Sequence, residues 1–175
     1  SKLMTVYMVF ERLKKGSLTL DDTFLVSEKA WKKGGSKMFV KVGDRISVSD
    51  LLRGIIVQSG NDACIVVAEG LAGTEDAFAE MMTRRAKEIG LTNSRFANAT
   101  GWPHPNQLMS ARDLAQLSSL LVTQFPELYK FFNEKTFTYS KIKQSNRNPL
   151  FYRNIGADGL TTGHTEAAGY GLTAS

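Results

Sequence analysis

The hydrophobic positions at the start of the chain recur with the period of a helix. Between Lys2 and Lys15, apolar residues stand three or four positions apart, as expected for one face of an α-helix. They are Leu3, Val6, Tyr7, Phe10 and Leu13. Lysines followed by Gly16 are typical of a helix C-terminus. The pattern predicts a helix over residues 2–15 with one face in a core.

Two short apolar helices are predicted next. Residues 50–58 form the first, and Ser49 is the expected N-cap, because a serine side chain can accept a hydrogen bond from the first turn. Residues 62–71 form the second and are nearly all apolar. A helix that is apolar on every side is usually enclosed by other elements. We therefore expect residues 62–71 to be central.

Two further helices are predicted after residue 73. Thr74 caps the first, which reaches Ile89 and stops at Gly90. The second runs from Ser110 to about residue 122, and the spacing of Ser110 and Asp113 matches a capping box.

The remaining segments have the alternation and turn residues of strands. Residues 23–48 are rich in glycine and β-branched residues, and Phe137 and Tyr139 alternate with polar residues. Residues 159–175 predict two strands around a turn at 166–168. We expect one α+β domain over residues 1–175.

Composition excludes several classes of site. The single cysteine, Cys64, leaves no internal disulfide and no multi-cysteine zinc site, and its apolar neighbours predict a buried thiol. No apolar run approaches the ~20 residues needed to cross a bilayer. The net charge of +5 suits an anionic partner such as cell-wall polymer, membrane surface or nucleic acid. Nothing except this charge favours nucleic acid, so we expect no nucleic-acid binding.

Three short segments carry the candidate chemistry. Lys2 lies at a helix start, Ser59-Gly60-Asn61 connects two apolar helices, and Thr161-Thr162-Gly163-His164 begins a strand. Together they resemble the Ser-x-x-Lys, Ser-x-Asn and Lys-Thr-Gly set of penicillin-binding proteins and class A β-lactamases.

Longer strings sharpen this likeness. Six of them occur in family order: Lys2–Thr5, Ile56–Ala63, Leu91–Phe96, Ser110–Asp113, Asn146–Asn148 and Thr162–Thr165. They resemble the D-alanyl-D-alanine carboxypeptidases, which are penicillin-binding serine peptidases. The resemblance implies a β-lactamase/transpeptidase-like fold, with a helical cluster packed on an antiparallel sheet that is incomplete in this chain. It covers essentially the whole sequence.

The resemblance also assigns roles to residues. Lys2 would be the base that activates a serine nucleophile, Ser59 would relay a proton to the leaving amine, and Asn61 would bind the substrate amide. The strand residues Thr162 and Gly163 would run beside the substrate and supply an oxyanion-hole N–H. His164 is a further candidate for lining this cleft.

Two positions depart from the family pattern. The nucleophilic serine belongs three residues before Lys2, whereas Ser1 is adjacent to it, and neighbouring helix residues point about 100° apart. We therefore expect a chain truncated at both ends, without its nucleophile, and inactive as written. Thr161 occupies the place of a basic residue that binds the substrate carboxylate, a charged hydrogen bond worth about 1.5–3 kcal/mol. Arg147 could compensate in part.

The resemblance implies peptidoglycan pentapeptide and β-lactams as partners, with no cofactor and no metal. His104 and His164 have no second ligand at helix spacing, which argues against a metal pair. The enzyme would work outside the cytoplasmic membrane, held only by a C-terminal anchor absent here. Two alternatives stay open. Thr161 favours a non-catalytic peptidoglycan-binding pseudoenzyme, and the motif set also fits a class A β-lactamase-like hydrolase, although Ser-Gly-Asn replaces Ser-Asp-Asn.

Overall fold

The computed structural model describes residues 1–175 and contains six α-helices, two 3₁₀ helices and six strands. The α-helices are α1 Lys2–Lys14, α2 Glu28–Lys32, α3 Val48–Ile56, α4 Asn61–Ala72, α5 Glu75–Glu88 and α6 Ala111–Gln124. The 3₁₀ helices are Tyr129–Asn133 and Pro149–Tyr152. The strands are β1 Thr23–Leu25, β2 Arg45–Ser47, β3 Thr136–Tyr139, β4 Ile142–Ser145, β5 Leu160–Thr165 and β6 Gly169–Ala174.

Helix α4 lies at the centre of the core, which confirms the prediction from its uniform apolarity. Every residue from Ala63 to Ala68 is fully buried. Helices α1, α2, α3 and α5 and strand β1 all contact it. Aromatic residues extend the core, since Phe10 packs edge-on against Phe125 and Phe132. No helix in the structure combines the length and apolarity that a membrane crossing needs.

The predicted helix ends are mostly correct. Helix α1 ends before Gly16, which adopts a φ of 73°, and the Thr74 hydroxyl accepts from the Ala77 N–H at the start of α5. At α6 the Ser110 hydroxyl caps the Asp113 N–H. The Asp113 carboxylate does not complete a capping box, because it accepts instead from the Asn93 N–H and the Ser94 hydroxyl.

Two predictions in the first half were wrong. Helix α3 begins at Val48, and its N-cap is Ser47 rather than Ser49, because the Ser47 hydroxyl accepts from the Asp50 N–H. The Ser49 hydroxyl already lies within the first turn and accepts from Arg53. The stretch 23–48 also contains the short helix α2, capped by Ser27, which at five residues is too short to show a helical period.

The strands form three separate two-stranded antiparallel sheets, β1–β2, β3–β4 and β5–β6. In the β5–β6 hairpin, Leu160 pairs with Ala174 and Thr165 with Gly169. The base of this hairpin is tied to the helical core. The Asn148 side chain donates to the Gly159 carbonyl at 2.7 Å, and the Tyr129 hydroxyl lies beside Asp158 and Ser175.

Candidate active site

A cleft of about 1120 Å³ lies between the helical core and the β5–β6 hairpin. The helical wall is formed by the start of α1 and the α3–α4 connection, and the opposite wall by β5 and β6. All eight residues proposed from the sequence line this one cleft: Lys2, Ser59, Asn61, Arg147, Thr161, Thr162, Gly163 and His164. Segments more than 150 residues apart along the chain, Lys2 and His164, thus meet at one site.

Lys2 projects from the first turn of α1 toward the loop after α5. Its Nζ donates to the Thr100 carbonyl at 2.8 Å, which fixes the position of the amine. Burial lowers the pKa of Lys2 below its ordinary value, and the nearby charges of Arg147 and Lys33 act in the same direction. A lysine with a lowered pKa reaches its neutral, basic form more readily.

Cys64 lies on α4 near Lys2 and is completely buried. A Cys64 thiolate would raise the pKa of Lys2. However, burial raises the pKa of the Cys64 thiol to about 12, so the thiol is neutral in the range where Lys2 titrates. Cys64 is therefore a packing residue here, as its apolar neighbours predicted.

Ser59 lies in the short connection between α3 and α4 and lines the cleft. Its φ is 54°, a left-handed conformation that is uncommon for a residue other than glycine. Strained backbone of this kind is found preferentially at functional sites, where the surrounding structure maintains it. Here the neighbouring Gly60 N–H donates to the Gly54 carbonyl at 2.9 Å and holds the turn closed.

Asn61, the first residue of α4, is almost fully buried and points its carboxamide along the helical wall. Its Nδ2 donates to the Gly34 carbonyl at 3.0 Å, and its backbone N–H donates to the Ser36 carbonyl at 2.8 Å. These two bonds orient the side chain. An amide group held in this way can offer its oxygen to a donor on a bound ligand.

The opposite wall is more open. Thr161 and Thr162 are half-buried, whereas Gly163 and His164 are exposed. A Cβ at Gly163 would meet nothing within 4 Å, so a ligand chain has room beside the strand at this point. The His164 ring stacks on Tyr170 with 4.1 Å between ring centroids.

Arg147 reaches the cleft from a segment held by two buried asparagines. Asn146 donates to the Glu134 carbonyl, and Asn148 donates to the Gly159 carbonyl. Between these anchors, Arg147 faces the cleft and donates to the Ser36 hydroxyl. The Asn-Arg-Asn alternation was the signal in the sequence that could have shown the two asparagines to be structural supports.

Sequence reasoning left the rim of the cleft largely undefined. Trp102 lines it, and the Lys33 ammonium lies 4.0 Å from the centroid of the Trp102 ring. Gly34 and Gly35 approach the same ring. The only signal in the sequence was that Trp102 lies in a proline-rich loop, and that position was equally compatible with the rim of the cleft and with ordinary packing. The structure contains no cluster of three or more histidine, cysteine or acidic side chains able to hold a metal.

Comparison with known proteins identifies the family. The model of the family described as "D-alanyl-D-alanine carboxypeptidase" matches residues 1–175. The chain is 44% identical to D-alanyl-D-alanine carboxypeptidase DacC of Escherichia coli (strain K12), covering 100% of this chain and 46% of that protein. It is 43% identical to D-alanyl-D-alanine carboxypeptidase DacA of Haemophilus influenzae, with the same coverage of both chains.

Solved structures agree with these relatives. Penicillin binding protein 5 from Haemophilus influenzae superposes with a TM-score of 0.94 at 43% identity, over 99% of this chain and 52% of that one. Penicillin binding protein 6B from Escherichia coli superposes with a TM-score of 0.93 at 43% identity, over 99% of this chain and 57% of that one. The fold is thus the expected one of helices packed on antiparallel sheets, and the chain spans about half the length of the relatives it matches. The chain belongs to the D-alanyl-D-alanine carboxypeptidase family.

Proposed function

We propose that the intact protein is a serine-type carboxypeptidase that removes the terminal D-alanine from peptidoglycan pentapeptide through an acyl-enzyme. The observation that carries this proposal is the convergence of Lys2, Ser59 and Asn61 on one wall of a single cleft, opposite strand β5. An amine, a hydroxyl and a carboxamide around one space are the groups that acyl transfer by a serine requires.

The proposed reaction has two steps. A serine three residues before Lys2 on the same helix would give its proton to the neutral Lys2 amine and attack the carbonyl between the two D-alanines. The resulting oxyanion would be stabilised by backbone N–H groups, including one from β5. The C–N bond would then break as Lys2 returns that proton, through the Ser59 hydroxyl, to the departing D-alanine amine, and water would hydrolyse the ester and restore the serine hydroxyl.

Substrate recognition would rest on Asn61 and on the cations of the cleft. The terminal D-alanine carries a carboxylate, and Thr161 supplies only a hydroxyl where the family has a basic residue. Arg147 faces the same cleft, and it is a guanidinium with several donors for a carboxylate. We assign Arg147 the main role in binding that carboxylate, with Thr161 and Thr162 as neutral donors.

β-Lactams would acylate the same serine, because their strained amide presents a carbonyl and a carboxylate in a similar arrangement. Penicillin-Binding Protein D2 from Listeria monocytogenes is described in ampicillin-bound and cefotaxime-bound forms, and it superposes on this chain with a TM-score of 0.83 at 29% identity. Peptidoglycan lies outside the cytoplasmic membrane, so we place the intact protein there, attached through a C-terminal anchor.

Thr161 supports a second candidate, a peptidoglycan-binding protein without catalysis. Losing a charged hydrogen bond of about 1.5–3 kcal/mol would weaken carboxylate binding by roughly ten- to a hundredfold. Such a loss would slow cleavage at the terminal D-alanine, which favours a protein that contacts peptidoglycan without cleaving it.

One experiment separates these functions. The full-length protein and its Thr161→Lys variant would be treated with fluorescent penicillin, and D-alanine release from a pentapeptide would be measured in parallel. A carboxypeptidase forms a long-lived penicillin adduct and releases D-alanine, whereas a β-lactamase-like hydrolase destroys penicillin rapidly. Absence of both labelling and D-alanine release in both forms would exclude an enzyme and leave the binding protein.

A further inference from the structure

Asp62, the residue after Asn61, carries a buried carboxylate without a cationic partner. The residue is 1% exposed and takes part in none of the six ion pairs of the structure. A buried charge is unfavourable unless hydrogen bonds replace its hydration. Four backbone N–H groups do so here, from Ala63 in its own helix and from Met38, Phe39 and Val40 across the core, at 2.9, 2.9, 2.9 and 3.2 Å.

The segment that supplies three of these donors, residues 34–40, is here called the strap. It has no helix or strand of its own. Phe39 within it has a φ of 68°, which lets consecutive N–H groups point toward the same anion. Because the strap has no regular ladder, its C-terminal half is held by the three N–H bonds to the Asp62 carboxylate together with the buried side chains of Met38 and Val40.

The strap contacts the active-site cleft through its N-terminal half, where Gly35 and Ser36 line the cleft. The Gly34 carbonyl accepts from Asn61 Nδ2, and the Ser36 carbonyl accepts from the Asn61 N–H. The Ser36 hydroxyl accepts from the Arg147 guanidinium. One segment therefore positions both the carboxamide and the guanidinium that the proposed function assigns to the substrate.

Two glycines make this arrangement sterically possible. A Cβ at Gly60 would lie 2.9 Å from Asp62 Oδ1 and 3.2 Å from the Met38 nitrogen. A Cβ at Gly35 would lie 2.6 Å from Asn61 Nδ2. Ordinary side chains at either position would push the strap away from α4.

We propose that Asp62 is a positioning residue for substrate recognition. By holding the strap, it fixes the positions of the Asn61 carboxamide and the Arg147 guanidinium relative to each other. The proposal rests on the proposed carboxypeptidase function. Asp62 itself is buried against the strap and is not among the residues that line the cleft.

The test is a double-mutant cycle in the full-length protein with Asp62→Asn, Arg147→Gln and the double variant. Asparagine keeps the shape of Asp62 but directs an NH₂ donor at backbone donors. We expect each single variant to lower kcat/KM for D-alanine release by about tenfold, the size of one lost charged hydrogen bond. The double variant should be no more than about threefold below Asp62→Asn, because residues acting through one another are not additive. A double variant at the product of the two single losses, roughly a hundredfold, would overturn the proposal.

Asp76→Asn is the matched control, since Asp76 is also the second residue of its helix, α5, but is exposed. If the effect of Asp62→Asn came only from the charge near a helix N-terminus, Asp76→Asn would reproduce it. We expect Asp76→Asn to keep wild-type kcat/KM within about twofold.

A second measurement does not depend on activity or on the variant folding. Amide hydrogen exchange of the wild type should show Met38, Phe39 and Val40 protected by at least about a hundredfold relative to the neighbouring Lys41 and Val42. Burial alone can protect Met38 and Val40, so the amide of Phe39, which is 46% exposed, is the one that reports on Asp62. Equal exchange across the five amides would show that Asp62 does not hold the strap. Absence of D-alanine release by the wild type would instead reject the proposed function, with the exchange result still deciding the role of Asp62.

Discussion

On the helical side of the cleft, hydrogen bonds to other segments of the chain hold the polar groups in place. Lys2 is held by the Thr100 carbonyl, Asn61 by the strap, and Ser59 by a closed turn whose next residue bonds to Gly54. On the hairpin side, support is concentrated at the base, where Leu160 is buried, whereas Tyr170 at the tip is 90% exposed.

This difference indicates that the helical wall and the hairpin wall have different roles in the proposed reaction. Groups that must transfer protons need positions fixed to a fraction of an ångström, which rigid packing supplies. The hairpin offers mainly backbone and small side chains, so it tolerates substitutions better. A change such as Thr161 can therefore occur on the hairpin without disturbing the helical wall. The following predictions test this contrast.

The largest effect is expected at the helical wall. Lys2→Ala in the full-length protein should reduce the second-order rate of acylation by penicillin about 10²–10⁴-fold, because it removes the general base. The rate can be followed by stopped-flow or gel-based labelling. Lys15→Ala, on the exposed end of the same helical segment, is the control and should label as fast as wild type.

A second variant tests the packing of the helical side of the molecule through its free energy of unfolding. Phe10 is fully buried within the aromatic cluster, so Phe10→Ala should lower the free energy of unfolding by about 3–5 kcal/mol. Denaturant unfolding of the full-length protein measures this. A loss below about 1 kcal/mol would mean that the core around α1 is not packed as described.

On the hairpin wall, a gain is expected. Thr161→Lys should raise kcat/KM for D-alanine release by about ten- to a hundredfold, because it restores a charged donor for the terminal carboxylate. Thr165→Lys, further along β5, adds the same charge as a control. Equal gains in both variants would indicate general electrostatic attraction rather than a specific contact.

The pH dependence reports on Lys2. Since burial lowers its pKa, the rate of acylation should rise about tenfold per pH unit up to a midpoint below about 10.4, the ordinary lysine value. The native protein releases this proton at lower pH than the unfolded chain, so stability should also rise with pH between the two pKa values. A kinetic midpoint at the ordinary lysine value would show that Lys2 is not desolvated.

The smallest effect is expected at the hairpin tip. Tyr170 is 90% exposed, and its main contact is the His164 ring, so Tyr170→Ala should change the free energy of unfolding by less than about 0.5 kcal/mol. When Tyr170→Ala and Phe10→Ala are measured together, the changes in free energy of unfolding compare an aromatic truncation in the hairpin with one in the helical core. Similar losses in the two variants would contradict the contrast between them.

Much of the fold was predictable, because the helices are defined by local periodicity and capping. The central position of α4 followed from its uniform apolarity, and the β5–β6 hairpin from alternation around a turn. Helix α2 was missed because five residues are too few to show a period. Ser47 and Ser49 both fit a cap by composition, and only the backbone geometry distinguishes them.

The site was predictable as a set of residue types but not as a supported arrangement. The motifs named Lys2, Ser59 and Asn61, and the structure brings them together with Arg147 in the cleft. The role of Asp62 was not predictable, because its partners are backbone N–H groups of an irregular loop, which leave no trace in side-chain identity. The Thr100 carbonyl that holds Lys2 was hidden for the same reason.

Mapping of the penicillin adduct in the full-length protein is the most direct test of the acyl-enzyme. After reaction with penicillin and proteolysis, mass spectrometry should find one adduct, on a serine three residues before Lys2, and none in the Lys2→Ala variant at matched times. An adduct on Ser1 or Ser59, or no adduct at all, would contradict the assignment of this cleft.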